Sequence, residues 1–122
     1  LKNIKDFYQI GRGNFWVVLD QGRVRGTISL LDLGHQQGAL RKMFVDQDFR
    51  GDTPGIAGLL LETLLNWARL QAIQEVLLGT TPKLFAAHRF YEKKGFAEIA
   101  KDLLPSAFPV MKVDTRFYHI RL

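Results

Sequence analysis

The chain of 122 residues contains no cysteine, so disulfides and thiolate metal sites are excluded, which fits a cytoplasmic protein. No apolar run approaches the ~20 residues of a membrane span, and no segment has the shape of a signal peptide. The three histidines, at positions 35, 88 and 119, are scattered and have no thiol beside them, so no metal site is expected. Prolines number only four, and two of them, Pro54 and Pro82, directly follow a threonine, a pattern that starts helices. There is no internal repeat, low-complexity tract or interdomain linker. What is present is ordinary for one soluble globular domain with a real core: 47% hydrophobic and 24% charged residues. Lysine and arginine total 17 against 12 acidic residues, a net +5. That excess suits an anionic ligand, a phosphorylated cofactor or nucleic acid, although it is more often only a solvated surface. The basic residues are spread out with no aromatic-interleaved cluster, which speaks against a nucleic-acid binder.

Aromatic and β-branched content predicts a strand over Phe15–Leu19, and Asp20-Gln21-Gly22 a hairpin turn. A second strand follows at Val24–Leu31, where the internal Gly26 signals a bulge or a close backbone approach. Asp32 to Gly38 reads as a turn and Ala39–Val45 as a third strand. Simple alternation there places Leu40, Lys42 and Phe44 on one face and Arg41, Met43 and Val45 on the other. Residues 54 to about 72 form a long helix whose stripe is Ile56, Leu60, Leu64 and Trp67, widened by Leu61, Leu65 and Ala68. A short buried strand at Glu75–Leu78 then implies a parallel strand–helix–strand crossover. Thr81 and Pro82 open a second helix, and Gly95 stops it behind Lys93 and Lys94. Strands at Phe96–Ala100 and Phe117–Leu122 complete the chain, with a loop over Lys101–Pro109.

The stretch from Val45 to Leu61 matters most. Thr53 suits an N-cap and Pro54 the first helical position. Gly55, Ala57 and Gly58 keep the first turn free of bulk. A bare helix N-terminus has unpaired N–H groups and the positive dipole end, so it can hold a phosphate. The same residues read equally well as a capped helix packed closely on a sheet.

Leu40-Arg41-Lys42-Met43-Phe44-Val45, Phe49-Arg50-Gly51 and Gly55-Ile56-Ala57-Gly58-Leu59-Leu60, taken in order, resemble the cofactor motif of the GNAT N-acetyltransferase superfamily. Ala87-His88-Arg89-Phe90-Tyr91-Glu92-Lys93-Lys94-Gly95-Phe96 is similar to that family's second signature. The resemblance implies an α/β fold with a mixed, mostly antiparallel sheet, split in a V between the strand ending at Val45 and the strand at Glu75–Leu78. It implies that acetyl-CoA lies in the split, its pantetheine pairing with backbone at Met43, Phe44 and Val45. The pyrophosphate would rest on backbone N–H groups in the run Arg50, Gly51, Asp52, Thr53, Pro54, Gly55, Ile56, Ala57 and Gly58, with charge from Arg50 and Lys83. The reaction implied is acetyl transfer to a primary amine of a small molecule or peptide, with Tyr91 as general acid. A phenol's pKa, about 10, suits proton transfer to an alkyl thiolate. From helical spacing alone, Tyr91 would be read as a core aromatic.

The chain departs from that pattern in places. Asp52 stands where the family has a basic or amide residue, and Leu84 where it often has asparagine. Neither the family's first strand nor its first helices are evident before Phe15. The expectation is one GNAT-like domain over residues 1–122 that lacks them, and the chain starts with Leu rather than Met. These departures keep a second function class open, a non-catalytic acyl-CoA-binding module. Asp32, His35, Asp46 and His88 can each titrate or accept a proton, but none is singled out as the amine's base. His88 reads as a partly exposed helix residue. The acceptor is not specified, and a homodimer is compatible because such domains often pair.

Overall fold

The computed structural model describes residues 11–46, 55–81 and 85–122. Among the described residues, six strands and two α-helices follow in the order β1 (Asn14–Asp20), β2 (Arg23–Gly34), β3 (Gln37–Val45), α1 (Ile56–Leu70), β4 (Glu75–Thr80), α2 (Phe85–Lys93), β5 (Ala97–Ile99) and β6 (Arg116–Arg121). The strands form one sheet in the order β1-β2-β3-β4-β6-β5. Among these described strands only β3 and β4 pair in parallel. Among the described residues no helix is long and apolar enough to cross a membrane.

The first three strands are a meander closed by tight turns. Gln21 and Gly22 both have positive φ, as do His35 and Gln36. Two such residues in succession turn the chain with the twist that antiparallel strands require. The second turn is thus far shorter than the expected Asp32–Gly38, because β2 runs on to Gly34 and β3 begins at Gln37. Asp32 is tolerated in the strand because its carboxylate accepts from the Arg12 and Gly34 amides, each at 2.9 Å. Gly26 fulfils both roles foreseen for it. The register slips between Val18 and Leu19, leaving Arg25 as an extra residue on β2. A Cβ on Gly26 would also lie 3.0 Å from both Ile56 and Leu60, so α1 presses onto the sheet there.

In β3 the simple alternation fails. Lys42 has φ of 57°, and the pairing with β2 slips between Thr27 and Ser29. This bulge turns the strand by one residue. Leu40, Met43 and Val45 consequently all pack against the helix-side core, while Lys42 and Phe44 are exposed. The hydroxyls of Ser29 and Thr27 donate to the carbonyls of Arg41 and Lys42, at 2.7 and 2.6 Å, pinning the irregular backbone.

Helix α1 begins at Ile56, two residues later than expected, with Gly55 as its N-cap at φ 75°, ψ 31° and no side-chain cap. A left-handed residue cannot sit inside a right-handed helix, so the start is forced past Gly55. Ile56, Leu60, Leu61, Leu64, Leu65 and Ala68 are buried. A buried aliphatic side chain contributes about 1.5–3 kcal/mol, against about 1 kcal/mol for a polar cap. Packing therefore holds this helix. The main core joins that stripe to Ile28, Leu30, Leu40, Val76, Leu78, Tyr91, Phe96 and Tyr118. A smaller cluster, Leu33, Ala39, Leu77, Phe108 and Phe117, covers the other face of the sheet.

Candidate active site

Strands β3 and β4 pair at Gln37–Glu75, Gly38–Val76 and Ala39–Leu77 and at no further position. Beyond Ala39 they part, and β4 continues to pair with β6 as far as Thr80. The sheet is therefore split where expected. On its helix side the split opens into a cleft of about 710 Å³. Met43 of β3 lines it, with Gly55, Ala57, Gly58 and Leu59 from the start of α1, and Ala87, Phe90, Tyr91, Lys93 and Lys94 from α2.

Each wall follows from local sequence. The α1 wall is open because no acidic residue occupies its first turn and Gly58 bears no side chain. In any helix the first N–H groups have no acceptor within the helix, and here they belong to the turn at Ile56, Ala57 and Gly58. Ile56 itself turns into the core. The α2 wall is set by a glycine stop. Gly95, at φ 99°, sends its N–H to the Glu92 carbonyl, and Phe96 sends its N–H to the Tyr91 carbonyl. This Schellman closure ends the helix at Lys93, two residues beyond Tyr91, and leaves Lys93 and Lys94 at the cleft.

Tyr91 is 5% exposed. Its ring packs edge-on against Phe90 and Phe96, at 5.4 and 5.5 Å between centroids, and tilted against Tyr118 at 6.5 Å. Among the described residues its hydroxyl has no hydrogen-bond partner. Burial pushes the phenol's pKa well above its ordinary value, so the group holds its proton. The neighbouring Tyr118 differs: its hydroxyl donates to Glu92 Oε2 at 2.8 Å, a structural contact.

The remaining predicted residues fall in three groups. Met43, Gly55, Ala57 and Gly58 meet at the cleft, while Phe44 is exposed and Val45 buried in the adjoining strand end. Arg50, Gly51, Asp52, Thr53, Pro54, Lys83 and Leu84 lie outside the described residues. The residues weighed as proton acceptors are dispersed. Asp46 is in an ion pair with Arg25 at 2.8 Å. His35 is in the β2–β3 turn, at the opposite end of β3 from the bulge. His88 is buried at 3% exposure, not partly exposed, with Nε2 2.8 Å from the Thr81 carbonyl oxygen. His119, not one of that group, pairs with Glu75 at 2.7 Å. The sequence reading missed Phe90, Lys93 and Lys94 as cleft residues. It assigned both lysines to the helix end, although Lys94 follows Phe90 by four and Tyr91 by three, the spacing of one helix face. The Lys94 ammonium stands 5.8 Å from the Phe90 ring centre and 3.7 Å from where a Gly58 side chain would begin.

A family model described as an acetyltransferase (GNAT) domain matches residues 11–98. The chain belongs to the GNAT acetyltransferase family. A GNAT acetyltransferase from Staphylococcus aureus Mu50 superposes with a TM-score of 0.92 at 37% identity, over 98% of this chain and 74% of that one. N-acetylaspartate synthetase of Xenopus tropicalis is 34% identical over 103 residues, which are 81% of this chain and 36% of that protein. The chain thus spans about a third of the length of the curated relatives of that name. A GNAT acetyltransferase from Elizabethkingia anophelis, solved with acetyl-CoA bound, shares the fold at 20% identity with a TM-score of 0.74, over 100% of this chain and 84% of that one. The GNAT frame accounts for the split sheet, the parallel β3–β4 pair and the helix start beside it.

Proposed function

We propose that this chain is an acetyl-CoA-dependent N-acetyltransferase that moves the acetyl group directly to a primary amine of a small molecule or peptide, with Tyr91 as general acid. The observation that carries the reading is the cleft itself. It brings a helix start with small residues at Gly55, Ala57 and Gly58, two lysines and a buried phenol around one opening at the split. A diphosphate linked through a thin arm to a reactive end needs those features in that relation. Gly55, Ala57 and Gly58 would hold the phosphates through α1's first amides, with Lys93 and Lys94 adding charge. Arg50 to Pro54 and Lys83 belong to the same proposed binding set. Met43, Phe44 and Val45 would pair with the amide-rich arm as an added strand.

Acetyl-CoA would supply an acyl group activated as a thioester, whose carbon–sulfur bond breaks as the carbon–nitrogen bond to the amine forms. Backbone N–H groups at the end of β3, near Phe44 or Val45, would polarise the carbonyl. Tyr91 would give its proton to the departing sulfur and recover one from solvent. Burial keeps the phenol protonated, and the same dry surroundings raise the basicity of a thiolate, so donor and acceptor stay matched.

Two measurements test this. Calorimetry should show CoA binding to the wild type and, within about twofold, to Tyr91→Phe. Thiol release with an amine panel should fall about 10²–10⁴-fold in Tyr91→Phe, the range for loss of a general acid. Unchanged turnover in the variant removes the acid role. CoA uptake without turnover on any amine would make the chain a non-catalytic acyl-CoA-binding module instead.

A further inference from the structure

The split opens on both faces of the sheet. Opposite the helices, beside the small Phe108–Phe117 cluster, a second cavity of about 200 Å³ is built from Arg41 and Lys42 of β3, Gly79 of β4, and Phe108, Met111 and Asp114 of the loop between β5 and β6. Because β3 and β4 are paired only to Ala39 and Leu77, Arg41, Lys42 and Gly79 are residues just beyond their parting. The cavity therefore lies over the gap itself, on the face away from the proposed thioester arm.

Its charges are largely uncommitted. The bulge fixes the backbone that bears the two cations. Lys42 sits at positive φ, and the Arg41 and Lys42 carbonyls are tied to Ser29 and Thr27. Neither cation forms an ion pair among the described residues. The guanidinium of Arg41 donates to the Met111 thioether at 3.6 Å, and a thioether is a weak acceptor that offsets little charge. Across the cavity, Asp114 Oδ2 accepts from the Met111 amide at 3.2 Å and lies 2.6 Å from where a Cβ on Gly79 would be. Only glycine at 79 lets that carboxylate approach β4 so closely. Leu40, Phe108 and Met111 supply apolar wall. Two cations and one carboxylate around a small, partly apolar space match a ligand with the inverse pattern. At roughly 30 Å³ per water, the space equals about seven waters, enough for an amino acid.

The geometry points to an acceptor that is a small amine also bearing a carboxylate, an amino acid in class. Its carboxylate is taken by Arg41 and Lys42, and its amine lies beside Asp114 at the parting of β3 and β4. This rests on the acetyl-transfer reading above and adds the acceptor's class. Arg41 gives the fork-shaped, two-point contact that carboxylates favour, and Lys42 a point charge. In the transfer the amine, once neutral, bonds to the acetyl carbon, loses its second proton to solvent and leaves an amide, while the sulfur departs as the thiol.

The test compares free amino acids (alanine, leucine, methionine, aspartate) with their carboxamides, in which the amine is kept and the negative charge removed. Thiol release gives turnover, and saturation-transfer NMR on the CoA-loaded protein gives binding. Free acids should bind, and should be turned over at least tenfold more efficiently than the amides. Arg41→Gln should raise the KM for the acids at least tenfold, Arg41→Lys should do so less, and the preference for acids over amides should shrink in both. Thermal melting checks that the variants fold. Should one fail to fold, the wild-type comparison of acids with amides decides alone. Turnover of amides equal to that of acids, or an unchanged KM in folded Arg41→Gln, overturns the proposal while leaving acetyl transfer standing. Arg41-dependent binding of acids with no turnover would support the pocket and overturn the transfer reading.

Discussion

The hydroxyl of Ser29 donates to the Arg41 carbonyl at 2.7 Å, across the irregular pairing that ends where β3 leaves β4. Ser29 is fully buried. It replaces a ladder bond that the bulge at Lys42 forfeits, and so shapes both faces of the split. Ser29→Ala leaves the part-buried Arg41 carbonyl without that donor, a loss of about 1 kcal/mol. Urea denaturation should show a lower midpoint with an unchanged slope. Because the bulge positions the strand end proposed to meet the thioester, kcat should fall as well, with CoA affinity less affected. A variant of wild-type stability would show that the bulge holds without this hydroxyl.

Gly58 offers a case in which stability and binding move in opposite directions. Its φ is helical, and a methyl there would meet only the Lys94 ammonium at 3.7 Å, an ordinary contact. Alanine in a helix is favoured over glycine by about 0.8–1.0 kcal/mol. Gly58→Ala should therefore melt at the same temperature or higher. The same methyl projects into the cleft over the helix start, and CoA affinity should drop about tenfold, equal to about 1.4 kcal/mol. Calorimetry and thermal melting on one sample decide it. A tighter CoA complex would mean that the diphosphate lies elsewhere.

Much of this could be read from sequence, and the failures share a cause. Strand positions, the α1 stripe, the crossover and the Gly95 stop are local signals: alternation, helical period and a glycine at a helix end. The bulge at Lys42 is not local. Nothing in Leu40-Arg41-Lys42-Met43 asks for positive φ; two hydroxyls on the neighbouring strand impose it. Hence Leu40 and Met43 share a face that alternation had separated. The start of α1 lies past the strong local Thr-Pro signal because the left-handed Gly55 overrides it. His88 shows the same limit, since its burial depends on the end of β4. Tyr91 could be located from the family resemblance, whereas its dry setting required the packing of Phe96 and Tyr118 around it.

Gly26 is predicted to be intolerant of a side chain. An added methyl would stand 3.0 Å from Ile56 Cγ2 and Leu60 Cδ1, and 3.1 Å from the Phe44 carbonyl oxygen. Overpacking of this kind costs about 1–3 kcal/mol. Gly26→Ala should lower the urea midpoint, and by lifting α1 from the sheet it should weaken CoA binding at the helix start. Full stability would show that α1 can shift without penalty.

Acid stability should depend on Glu75. Burial alone would raise its pKa, but hydrogen bonds with Gln37 at 2.9 Å and His119 at 2.7 Å, and the charges of His119 and Arg121, outweigh it and the net shift is downward. A carboxylate lowered on folding contributes stability that is fully present above its unfolded value near 4.5 and lost as pH falls through the folded value. Denaturation midpoints measured from pH 7 to pH 3 should fall in that lower window. In Glu75→Gln the wild-type advantage should shrink toward zero as the pH descends. A constant gap between the two proteins at every pH would show that the carboxylate's charge is irrelevant there.

The alkaline side belongs to Tyr91. Its phenol is raised by burial, so the folded protein keeps the proton where an ordinary tyrosine, near 10, would lose it. Under the proposed mechanism kcat should climb with pH as the amine acceptor becomes neutral, then level off. It should show no descending limb near pH 10, because the acid is still loaded there. The sign for stability is the opposite. A group whose folded pKa is raised contributes stability fully present below its unfolded value and lost as pH rises through the folded one. The wild type should therefore lose stability above about pH 10, where the unfolded chain's phenol ionises and the buried one does not. Tyr91→Phe, which cannot ionise, should lose less over the same range. A kcat limb falling near pH 10 that disappears in Tyr91→Phe would mean that the phenol is solvated in the working enzyme.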